Sequence, residues 1–193
     1  LAEKIAMHYY DTVPREERKS KIHISLSTSY FVPKPFTPFQ WAPMAEQDEY
    51  LRRTAILNET LRGELNHKAI TYKWHKSDMS EIEGVLARGD RRLSAVIEKV
   101  YQSGEIFSAW TEFFDAERWK KAVSEFGLSI DFYKRRERTK DELFPWSFLD
   151  CGITVDFLWR EWERARNADV TPDCRSTCSY CGAYVYGGGV CHE

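Results

Sequence analysis

Residues 22–41, IHISLSTSYFVPKPFTPFQW, alternate like a strand and then run without a break into a segment carrying three prolines. Ile22, Ile24, Leu26, Thr28 and Tyr30 share one side of an extended chain, and His23, Ser25, Ser27, Ser29 and Phe31 share the other. A strand with one greasy face and one small polar face suits two settings. It is either a half-solvated antiparallel strand, or a barrel strand with its apolar side against an outer helix and its serines toward a lumen. Pro33, Pro35 and Pro38 then fix three φ angles, remove three backbone donors and press Val32, Lys34 and Thr37 toward extended geometry. A stiff, non-helical ledge over residues 31–41 follows, either as the wall of a site or as a rigid surface loop after an edge strand.

The stretches around the ledge extend an alternation of strand and helix. Leu1, Ile5 and Tyr9 stand at helical spacing from the first residue, so the chain reads as entered in the middle of a helix, the C-terminal piece of a longer polypeptide. Residues 46–62 form a helix with acidic residues at its start, Tyr50, Thr54, Leu57 and Leu61 on one side, and Gly63 as a stop. Residues 68–75 alternate again and make a second strand. Strand, helix, strand is the pattern of a β/α barrel and of α/β layers in general.

From Ser77 the period becomes helical. Asp78 with Glu81 has the spacing of a capping box for a helix turning Met79, Ile82 and Leu86 inward. Gly89 ends that helix, Asp90 caps the next, and Leu93, Val96, Ile97, Val100 and Tyr101 form one apolar stripe. Residues 115–126 and 154–166 are two further amphipathic helices, the first presenting Trp119, Ala122, Val123 and Phe126, the second Val155, Leu158, Trp159 and Trp162. In the RGDRR turn (88–92), a glycine stop, an aspartate cap and two solvated arginines suffice, and that reading is favoured over a phosphate or substrate contact. The basic run KRRERTK (134–140) adjoins Asp141 and Glu142 and has no interleaved aromatics, so it reads as a solvated loop and not as a nucleic-acid patch. Phe144-Pro145-Trp146 is a core anchor. Trp110, Trp119, Trp146, Trp159 and Trp162 give the helical half material for its own core.

Four of the five cysteines lie in the last twenty residues: Cys174, Cys178 and Cys181 at CxxxCxxC spacing, then Cys191 beyond Gly187-Gly188-Gly189. Closely spaced thiolates with glycines between them can wrap one soft ion, and four thiolates suit Zn²⁺ or an iron–sulfur cluster. His192 is an alternative fourth ligand, and disulfides are the competing use of the same residues. Cys151 reads as a buried small hydrophobe. The 28 basic and 30 acidic residues leave a formal net charge of −2, with no general pull toward nucleic acid or anionic membrane. No apolar run approaches the roughly 20 residues that span a bilayer. The chain reads as soluble and cytoplasmic.

The wording FVPKPFTPFQW resembles radical S-adenosylmethionine (radical SAM) enzymes, in particular the uncharacterised subset with a cobalamin-binding domain upstream. RGDRR and Thr171-Pro-Asp-Cys-Arg175 resemble the same family's text, and the likeness extends over nearly the full length. It implies an α/β fold: residues 1–76 as the last strands and helices of a partial β/α barrel, 77–168 as a mostly helical module, and 169–193 as a cysteine-rich metal-binding tail. It implies S-adenosylmethionine and a 4Fe-4S cluster in the longer polypeptide, the cluster held by an upstream CxxxCxxC, with cobalamin further upstream. The CxxxCxxC at 174–181 is too close to the end to be that motif, since a whole barrel follows it in the family. It is an auxiliary iron–sulfur or zinc site.

Under this resemblance Ser25 and Ser27 face the lumen, Lys34 and Thr37 meet a carboxylate or phosphate, and Gln40 with Trp41 holds a ring or substrate edge, while Cys174, Cys178, Cys181 and Cys191 bind metal. The partner is then the upstream part of the same polypeptide, and the substrate is unnamed. By itself the chain lacks the cofactor-cleaving motif and reads as inactive. The alternative is a non-catalytic helical interaction module with a structural zinc tail.

Overall fold

The alternating run becomes β1 (Ile24–Thr28), and the second becomes β2 (Ile70–Trp74). They pair in parallel with Ile24 opposite Ile70 and Thr28 opposite Trp74. Parallel neighbours need a long crossover, supplied here by helix α2 (Gln47–Arg62). The structure is a computed structural model and describes residues 1–186. The fourth-ligand candidates Cys191 and His192 and the glycines 187–189 lie outside the described residues. These form a mixed but mostly helical α/β fold, with seven α-helices and this one two-stranded sheet. No barrel stands among them.

The chain divides into two compact units, a strand unit of Leu1–Phe31 and Ala45–Ser80 and a helical unit of Val32–Met44 with the described residues from Glu81 on. In the strand unit, Ile24, Leu26 and Thr28 are half-buried, while His23, Ser25 and Ser27 are exposed. Tyr30 stacks on Tyr50 with ring centroids 4.6 Å apart, and its hydroxyl donates to the Ala45 carbonyl. The Tyr50 hydroxyl donates to the His75 carbonyl at 3.0 Å. Helix α2 buries Tyr50 and Thr54 as its spacing implies, but Leu57 is exposed. Helix α1 (Ala2–Thr12) buries Ala2 and Ala6, and Leu1 and Ile5 are exposed. The side used is the one with the shortest side chains, which lets the helix backbone approach β1.

The helical unit has two apolar clusters. In the first, Ile82 and Val85 of α3 (Ser77–Arg88) pack with Leu93, Val96 and Val100 of α4 (Leu93–Gln102) and with Trp119, Ala122 and Val123 of α5 (Ala116–Glu125). Tyr133 of the short α6 (Ile130–Lys134) completes it. In the second, Trp41 and Ala42 meet Phe144 and, from α7 (Val155–Arg166), Leu158 and Trp162. Asp115 caps α5 by accepting the Glu117 and Arg118 amides, and Thr154 caps α7 by accepting that of Phe157. The real apolar stripes are narrower than the periodicity implies. Leu86, Ile97, Tyr101, Phe126 and Val155 are exposed, because each helix is covered on one side only, and Trp110, in the loop between α4 and α5, is exposed too.

The capping box expected at Asp78 and Glu81 does not form. Asp78 lies within the first turn, where its Oδ1 accepts the Met79 amide at 2.7 Å, and the Glu81 carboxylate pairs with the Lys134 ammonium. Asp90 is likewise not the cap residue of α4. Arg92 holds that position, and Asp90 accepts the Arg92 amide at 3.0 Å and pairs with its guanidinium.

Candidate functional site

The ledge is built largely as its prolines require, with one departure. Thr37, before Pro38, is extended (φ −117°, ψ 157°), and Phe36 takes a left-handed φ of 58°. Pro38 does not keep the chain extended. It opens a single 3₁₀ turn, Pro38–Trp41, because its preset φ suits a first helical position where no amide donor is needed. That turn swings Gln40 and Trp41 inward, to 3% and 0% exposure. Gln40 Oε1 accepts from the Phe36 amide at 3.2 Å and from Trp146 Nε1 at 2.9 Å. Trp41 sits edge-on to Trp159, centroids 5.0 Å apart. Farther along, the Met44 amide donates to the Lys134 carbonyl at 2.8 Å. Its side chain lies where a Cβ on Gly84 would come within 2.0 Å of the sulfur. A glycine in mid-helix is the condition for that seat.

The residues named for a site wall have different settings. Gln40 and Trp41 line a cavity of about 70 Å³ together with Phe36, Trp146, Lys140 and Cys151. That is well below the roughly 300 Å³ at which ligand pockets begin. Lys34 is exposed and paired with Glu83, and Thr37 Oγ1 donates to the Lys34 carbonyl at 2.8 Å. Ser25 and Ser27 are exposed on β1 in the strand unit.

The basic motifs are not simply solvated. Arg91 and Arg92 are exposed, but Arg88 is 1% exposed. Its Nε, Nη1 and Nη2 donate to the carbonyls of Tyr133, Ala42 and Arg136, tying α3, the end of the ledge and the 134–140 run together. Within that run Lys134 and Arg138 are buried. Arg138 donates its amide to the Trp41 carbonyl at 3.0 Å and Nη2 to the Arg88 carbonyl. Its guanidinium lies 5.0 Å from the Phe144 ring centroid. Arg136 grips Glu142 with both terminal nitrogens, at 2.6 and 2.7 Å. Burial, then Arg138 and Arg136, push Arg88 down to about 10, and burial also lowers Arg138. The hydrogen bond from Arg92 holds Asp90 at about 2, and Arg136 holds Glu142 below its usual range. For Glu81 and Arg88 the signal was present in the spacing. Glu81, Val85 and Arg88 recur at i, i+4, i+7, so two ionisable groups continue the buried stripe of α3.

In the tail, Cys174 is exposed and Cys178 and Cys181 are half-buried, all as free thiols. The Tyr180 amide donates to Cys178 Sγ at 3.4 Å. The Cys181 carbonyl accepts from the Thr154 amide at 2.9 Å, which moors the tail at the start of α7. Positive φ at Tyr180 (54°) and Gly182 (96°) turns the chain between and after these cysteines. The donor chemistry fits a thiophilic metal. Even so, among the described residues no three His, Cys, Asp or Glu side chains gather closely enough to hold an ion. Cys151 is exposed, not buried as its apolar neighbours suggested. No helix of the described residues is long and apolar enough to cross a membrane. Compared with known protein families, curated proteins and solved structures, the chain matches none.

Proposed function

We propose that this chain is the C-terminal portion of a radical SAM iron–sulfur enzyme, contributing the last strands of a partial β/α barrel, the ledge that follows β1 and a cysteine metal site. The observation that carries the reading is the parallel pairing of β1 with β2 across α2. Parallel strands joined by a helix are the repeating unit of such a barrel. A half-exposed pair of them is what a barrel's closing strands look like without their neighbours. The wording of residues 31–41 and 171–175 supports the same reading. The chain's own residues then act as structure around the chemistry. Gln40 and Trp41 fix the ledge, Lys34 projects from it, and Cys174, Cys178 and Cys181 supply thiolates for iron–sulfur or zinc with Cys191 or His192.

The experiment is anaerobic purification of the full-length polypeptide, followed by iron, sulfide and zinc analysis and an assay for reductive cleavage of S-adenosylmethionine. A brown, iron-loaded protein that cleaves the cofactor is expected. A colourless protein with zinc alone and no cleavage would end the enzymatic reading. It would favour the second one, a helical interaction module, which draws support from the exposed Phe107, Trp110 and Phe113 on the helical unit.

A further inference from the structure

The helical unit holds a cavity of about 660 Å³ lined by Arg88, Arg91, Arg92, Arg136, Arg138 and Asp90, with Glu142 also in its wall. Its volume lies within the roughly 300–1,000 Å³ of small-molecule sites. Five guanidinium groups face two carboxylates, a local charge of +3. Both carboxylates are already engaged: Asp90 by Arg92, and Glu142 by both terminal nitrogens of Arg136. Arg88 has only carbonyl oxygens as partners. Arg138 is 5% exposed, its Nε and Nη1 lack hydrogen-bond acceptors, and its closest carboxylate oxygen is 3.7 Å away on Glu142. Buried positive charge with too few counter-charges is costly, and an anion in the cavity offsets that cost.

We propose that this cavity binds a phosphate monoester. Three features select that class. The surplus of three positive charges suits a dianion better than a carboxylate. Guanidinium groups match the oxygens of a phosphoryl group two at a time, and Arg91, Arg92 and Arg136 reach the solvent side while Arg88 and Arg138 supply charge from behind. The apolar rim takes the organic part of the ester. Leu143 and Phe148 stand 87% and 82% exposed beside the arginines, with Phe132 at 47%. Large apolar side chains left in water at the mouth of a charged cavity are surface for a ligand to cover. This assignment is independent of the barrel reading, because every residue in it belongs to the helical unit.

The test is calorimetric titration of the protein with phenyl phosphate, inorganic phosphate and benzoate at low and physiological salt. Phenyl phosphate should bind most tightly, phosphate next and benzoate least, with affinity falling as salt rises. Phe148→Glu places a carboxylate at the exposed mouth and should weaken phenyl phosphate by at least about tenfold. Arg91→Ala should weaken it about threefold. Arg138→Met should abolish the preference for phosphate over benzoate, with its folding checked by circular dichroism. If it does not fold, Phe148→Glu decides. Phenyl phosphate binding no tighter than benzoate, or equally to the native protein and Phe148→Glu, would overturn the proposal.

Discussion

The strand unit and the helical unit answer the same problem differently. The helical unit closes two apolar clusters around Val96 and Trp41, each at 0% exposure. The strand unit contributes to neither. Its buried side chains include two alanines, the Tyr30–Tyr50 stack and Thr54, and its strands stay half-exposed on one row and open on the other. Parallel sheets are ordinarily covered on both faces. The contrast teaches that one unit carries its own hydrophobic driving force, while the other relies on a short backbone ladder and tyrosine hydroxyls.

The largest expected effect lies inside the helical unit. Glu81→Gln leaves the Lys134 ammonium buried without its carboxylate and should cost about 3–5 kcal/mol, whereas Glu81→Leu with Lys134→Met should recover most of the loss. Urea unfolding followed by tryptophan fluorescence reads this directly, because six of the seven tryptophans belong to that unit. Matched truncations sharpen the comparison. Leu93→Ala, at a residue 4% exposed, should cost about 2–5 kcal/mol, and Leu26→Ala, half-buried on β1, about 1 kcal/mol. Equal losses by circular dichroism would erase the distinction between the units.

Acid provides a smaller effect. Asp90 is held at about 2 by Arg92, below its unfolded value of about 3.9. Its stabilising contribution is complete above the unfolded value and is lost as pH falls through about 2. Asp90→Asn should therefore flatten the acid limb of the helical unit's stability curve between pH 4 and 2. The smallest effect belongs to the serine row of the strand unit. Ser25→Ala and Ser27→Ala should change stability by no more than about 0.5 kcal/mol, so a loss of the proposed cofactor cleavage in these variants would report on function and not on folding.

Much of the secondary structure was legible. Ile24, Leu26 and Thr28 against Ser25 and Ser27 marked β1, the second alternating run marked β2, and apolar period marked the helices that the structure shows capped by Asp115 and Thr154. Helix faces were legible only in part, since Ile97 and Tyr101 obey the period of α4 and yet stay exposed. The candidate site was less legible. Cysteine spacing is visible in one dimension, but whether thiols converge is not. The loop reading of residues 134–140 missed that Lys134 and Arg138 are turned inward, because nothing local distinguishes a solvated cation from one whose carboxylate stands 53 residues away on α3.

Taken alone, the order of residues located the two strands and the longer helices, because hydrophobic period acts over a few neighbours, although Asp90 did not become the cap of α4 and Pro38 opened a turn in the ledge. It also determined that four cysteines crowd one end. Tertiary structure decided that Trp41 and Gln40 leave the ledge for the helical core. It decided too that Arg88 becomes a three-carbonyl clamp and that five arginines share one cavity. Those outcomes depend on which distant backbone or carboxylate meets each side chain, and burial and charge balance are set only when the chain has closed on itself.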